Sequence, residues 1–169
     1  MKILVILFLL FVNVNLFGQI NLLGEQAWRN KVEAALDIVR VFEPNLYKDI
    51  VVHSTIQAGD LRVAGYAGFC DVQESSSGKI LWIVIGIEEL RTSNKHYIAS
   101  LLVHEALHLK NRLNEQPGRN WGNFTNQEKK AEHTQIYNYE LDFMRRILTP
   151  YDDIEGLKRL MINENIKIF

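Results

Sequence analysis

The five residues His104-Glu105-Ala106-Leu107-His108 constrain this chain more than any other stretch. Two histidines four positions apart converge only on a helix. In a strand they would share a face but stand about 13 Å apart. On a helix both imidazoles can reach one ion, and the carboxylate between them, rotated by about 100°, can hold a water beside it. The flanking residues agree with a helix over 95–113. Leu101, Leu102, Ala106 and Leu109 supply an apolar back face, and Thr92, Ser93 and Asn94 are all suitable N-caps. Two neutral histidines and a carboxylate suit Zn²⁺, which keeps a position for water in catalytic centres.

Composition narrows the remaining choices. A length of 169 residues suits one domain with a real core rather than two. The net charge of -1 argues against a chain built to coat nucleic acid or an anionic membrane. The single cysteine, Cys70, excludes an intrachain disulfide and any Cys-x-x-Cys metal site, and reads as a small buried hydrophobe. A metal would have to be held by histidine and carboxylate.

The N-terminus has its own logic. Met1 and Lys2 precede an unbroken apolar run from Ile3 to Val12, too short for the roughly 20 residues of a spanning helix. Residues 1–18 therefore read as a secretory signal peptide, with Gly18 before the cut and residues 19–169 as one mature domain. An uncleaved anchor is the alternative. The expectation is a secreted or periplasmic protein with no lasting membrane partner.

Elsewhere the patterns are short. Residues 21–44 read as one helix whose buried face is Trp28, Val32, Ala35, Leu36 and Val39. Strands are expected over 50–56, 61–72 and 79–87, with turns at 58–60 and 74–78. The last strand is apolar on both faces, which implies cover on each side. A further helix is expected from Thr125 or Asn126 to Leu148, and a short one over 152–162. The plan is α+β, with a small sheet of about three strands covered by helices.

A third metal ligand should lie at the start of the helix after the motif, where the candidates are Glu128, Glu132 and His133. Glu128-Lys129-Lys130-Ala131-Glu132 resembles the E-x-x-A-D segment of gluzincin-type zinc metallopeptidases. That resemblance, over about residues 79–140, implies a zincin-like fold with Zn²⁺ held by His104, His108 and Glu128. It makes Glu105 the general base, and Glu132 an acid that orients a histidine ligand. Glu132 stands where the pattern has aspartate. Thr125-Asn126-Gln127-Glu128 also matches a capping box, which would employ Glu128 locally and promote Glu132. The resemblance further implies that the strand over 79–87 borders the cleft and offers an edge to an extended peptide. Tyr139 or His133 could support an oxyanion. His53 reads as a partly buried core residue.

The function expected from these residues is zinc-dependent hydrolysis of a peptide or protein substrate, without a nucleic-acid partner. A non-catalytic zinc- or peptide-binding envelope module is the alternative, and so is hydrolysis of a non-peptide amide.

Overall fold

The computed structural model describes residues 21–62, 65–76, 78–114 and 124–169. The elements run β1 (Asn21–Leu23), α1 (Gln26–Phe42), α2 (Pro44–Asp49), β2 (Ser54–Gly59), β3 (Gly68–Ser75), β4 (Gly78–Gly86), α3 (Ile87–Thr92), α4 (Lys95–Asn114), α5 (Asn126–Arg146) and α6 (Tyr151–Asn163). The architecture is α+β: six helices and one four-stranded sheet among the described residues. The signal-peptide expectation for residues 1–18 lies outside those residues. No described helix is long and apolar enough to cross a membrane.

The first expected helix is interrupted at its start. Asn21–Leu23 pair in parallel with β2 as a fourth strand. Gly24 then turns the chain at φ 143, a left-handed value open to glycine. The Trp28 indole fills the space where a side chain at position 24 would sit. From there α1 buries the expected face of Trp28, Val32, Ala35, Leu36 and Val39. Pro44 ends α1 and opens α2, where its missing N–H costs no helical hydrogen bond.

The β2 segment begins later than its β-branched run suggests. Val51–His53 form a 3-10 turn, and the strand starts at Ser54 and continues through Gly59. The Ser54 hydroxyl donates to the Ile50 carbonyl at 2.9 Å and holds that turn. Ile50 and Val51 point into the core, while His53 is exposed rather than partly buried.

The strand order is β1-β2-β4-β3. β2 and β4 are parallel, and β3 returns antiparallel to β4 in register from Gly68↔Ile85 to Ser75↔Gly78. β4 is thus paired on both sides, and Ile83 and Ile85 are fully buried. This corrects the expectation of a cleft-bordering edge at 79–87, because that edge belongs to β3. The chain reverses through the hairpin and places the more polar strand outermost.

α4 is the axis of the molecule. Asn94 caps it, its Oδ1 accepting from the His96 and Tyr97 amides at 2.9 and 3.1 Å. Ile98, Leu102, Val103, Ala106 and Leu109 have no solvent exposure and pack into the core formed with α1 and the sheet. Arg112 Nη1 reaches the Cys70 carbonyl at 2.6 Å and ties the far end of α4 to β3. Lys31 of α1 donates to the Leu90 and Ser93 carbonyls at 2.5 and 2.9 Å, placing a cation at the C-terminus of α3. A second apolar cluster of Tyr137, Leu141, Met144, Leu157, Met161 and Ile166 joins α5 to α6 and the tail.

Candidate metal centre

His104, Glu105 and His108 are buried, at 8%, 6% and 5% exposure. α5 packs over them. The result is a cluster that the sequence placed only in part. One ligand atom each from His104, His108 and His133 lies within 4.8 Å of the others, the only such group among the described residues. The rings of His104 and His108 are 5.0 Å apart, and those of His108 and His133 are 5.1 Å apart.

Two of the rings are aimed by carboxylates. His104 Nδ1 is 2.8 Å from Glu140 Oε2, and His108 Nδ1 is 3.0 Å from Glu132 Oε1. A carboxylate only accepts, so each Nδ1 carries the proton and leaves Nε2 with a lone pair for a metal. Asn111 Nδ2 also donates to Glu132 Oε1 at 3.0 Å. Burial works against a charge on Glu132, but the hydrogen bond and charge of His108, with Asn111 and Arg112, together outweigh it and lower its pKa. Burial likewise opposes a charge on His104, and the Glu140 carboxylate overcomes it, so that pKa is raised. His133 joins the cluster from α5. Burial, with His108 and His104 adding, pushes its pKa down to about 4. A neutral imidazole with an available lone pair is the form a metal needs.

Glu128 is placed elsewhere. Its Oε2 accepts from the Thr125 amide and hydroxyl at 2.8 and 2.9 Å, and its own amide donates to Thr125 Oγ1 at 3.2 Å. This is the capping box, and Glu128 is not in the ligand cluster. His133 stands in the cluster instead. In the fold Glu132 meets the His108 ring, and the neighbouring His133 offers a ring nitrogen to the cluster.

Glu140 was not anticipated. Its sequence signal was a carboxylate among apolar residues on the inner face of α5, between Tyr137 and Leu141. At 2% exposure it needs a partner, and His104 supplies one. Tyr137 packs beside the histidine rings. Its ring lies 4.8 Å from His104 and 5.6 Å from His133. Burial raises its pKa, so the phenol keeps its proton as a donor. Tyr139 instead donates its hydroxyl to Glu43 on the protein surface.

These groups open onto one cavity of about 180 Å³, lined by His104, Glu105, His108, His133, Tyr137 and Glu140. Residues 65–70 form its opposite wall. Gly68 touches Glu105 so closely that an added Cβ would lie 2.7 Å from Oε1.

Comparison with known protein families, with curated proteins and with solved structures finds no match.

Proposed function

We propose that this chain is an exported zinc-dependent hydrolase, a metallopeptidase with a zincin-like arrangement of helices and sheet. The observation that carries the reading is the convergence of three histidine ligand atoms within 4.8 Å beside a buried, cavity-lining Glu105. A structural zinc site is commonly closed by four protein ligands, often with cysteine, and has no use for a carboxylate beside it. Here His104, His108 and His133 would hold the ion. Three protein ligands with one open position is the usual composition of a catalytic zinc site. The donor set differs from the two histidines and one glutamate of the gluzincin resemblance.

Zn²⁺ would supply Lewis acidity, polarising a carbonyl and making water a nucleophile near neutral pH. The rest of the chemistry belongs to the chain. Glu105 takes a proton from the attacking water and passes it to the leaving amine. Glu140 and Glu132 hold His104 and His108 in the productive tautomer. Tyr137 offers a phenol to the oxyanion. An extended substrate would lie along β3 and residues 65–67, the wall that faces Glu105.

The test is a zinc titration with a peptide-library cleavage assay on three variants. His133→Ala should shed most of the zinc, while Glu128→Gln should keep it. Glu105→Gln should keep zinc and lose about 10²-fold or more in hydrolysis, because an amide cannot take the proton. Zinc lost in Glu128→Gln but kept in His133→Ala would restore the glutamate ligand. A wild-type protein that binds zinc and cleaves nothing would favour the binding module.

A further inference from the structure

The cavity beside the histidine cluster has a second side, built by α6 and the residue that follows it. Leu157, Leu160 and Glu164 all line it. They fall at i, i+3 and i+7, so one face of the helix presents two apolar turns and then a carboxylate. Leu157 is buried, Leu160 is 42% exposed, and the Glu164 side chain is 39% exposed.

Backbone and side-chain bonds hold Glu164 in place. It is the C-cap of α6, and its amide donates to the Leu160 carbonyl at 3.0 Å. Asn165 then turns left-handed at φ 53, and Ile166 donates its amide to Met161 at 2.8 Å and enters the second core cluster. The tail is clasped to α5 by Asn138, which donates to the Lys167 carbonyl and accepts from the Phe169 amide, both at 2.8 Å. These bonds hold the end of α6 across from His133.

The Glu164 carboxylate lines this cavity. Its described ion-pair contact is His133 Nδ1, at 3.9 Å. That is beyond hydrogen-bonding range, and a histidine that ligates a metal is neutral. Glu105 serves the water, and Glu140 is spent on His104. Among the described residues, no lysine or arginine lines the cavity.

We propose that Glu164 is a specificity-determining residue, and that this cavity selects peptides carrying a lysine or arginine side chain next to the bond to be cut. The inference rests on the hydrolase reading above. A basic side chain matches the wall in sequence, because its methylene stem can lie along Leu157 and Leu160 while its charged head meets the carboxylate. An acidic side chain would meet Glu164, Glu105 and Glu140 with like charge.

The experiment compares kcat/KM for blocked peptides that differ only in a lysine, a leucine or a glutamate beside the scissile bond. Blocked termini separate a basic side chain from a free α-amine. Wild type should prefer lysine over leucine by about fivefold or more, and this preference should shrink as salt is added. Glu164→Gln should bring the ratio towards one, and Glu164→Lys should turn the preference to glutamate. A ratio that survives Glu164→Gln, with all peptides slowed alike or zinc lost, would overturn the proposal and make Glu164 a support for His133. A preference for the free amine over the blocked lysine would overturn it as well. Calorimetry of the blocked lysine and glutamate peptides on zinc-loaded Glu105→Gln gives a reading without turnover. Tighter lysine binding there, even if wild type cleaves nothing, supports the pocket and removes only the hydrolase reading. Equal binding removes the pocket.

Discussion

At the scale of single residues, the contact between Gly68 and Glu105 has the sharpest consequence. A methyl at position 68 would lie 2.7 Å from Glu105 Oε1 and 3.2 Å from its Cγ. Oε1 is the far end of a flexible side chain that borders the cavity, so it is the group that gives way. Gly68→Ala should therefore displace the carboxylate without touching the histidines. Zinc stoichiometry should stay the same while kcat falls by about tenfold or more, because a small misplacement of a catalytic group is costly. Steady-state kinetics beside metal analysis would decide it. Unchanged kcat would mean that Glu105 swings freely and that β3 does not hold it.

At the scale of elements, α5 divides its labour along its length. Its first turn holds the cap and its middle faces the histidine cluster. Thr125 and Glu128 satisfy the amides at the start, while Glu132, His133, Tyr137 and Glu140 face α4 and the cavity. Thr125→Ala should cost about 1 kcal/mol of stability through the lost cap and leave zinc bound. Urea unfolding with a parallel zinc titration reads both quantities. Zinc loss in that variant would show that the first turn belongs to the centre. The back of α4 is a different case, since Leu102 is fully buried in the main core. Leu102→Ala should cost about 2–5 kcal/mol, the range for a large aliphatic truncated in a packed interior.

At the scale of the molecule, the proposed metal joins two helices that otherwise meet through side-chain packing and the carboxylate–histidine bonds. His104 and His108 come from α4 and His133 from α5, across a chain connection that includes residues 115–123. An ion bound only by the folded chain stabilises it by mass action. At a hundredfold excess over its dissociation constant the gain is about 2.7 kcal/mol. Thermal melting should show a higher midpoint with zinc than with a chelator, and His133→Ala should lose most of that difference. Equal midpoints for wild type in both conditions would argue against a site shared by the two helices.

The helix over 95–114, the buried face of α1 and the cap of α5 were legible in the chain itself. Each follows from hydrogen bonds and periodicity within a few residues, and His104, Glu105 and His108 share that local logic. The choice of His133 over Glu128 was not legible. Both lie on α5, and only the way α5 packs across α4 brings one turn to the cluster and leaves the other at the cap. Glu140, 36 positions from His104, and Glu164 at the end of α6 depend on the same long-range packing. So does the sheet edge. A strand that reads as β-forming carries no mark of how many neighbours it will have, and β4 is flanked on both sides because β2 pairs along one edge and β3 along the other.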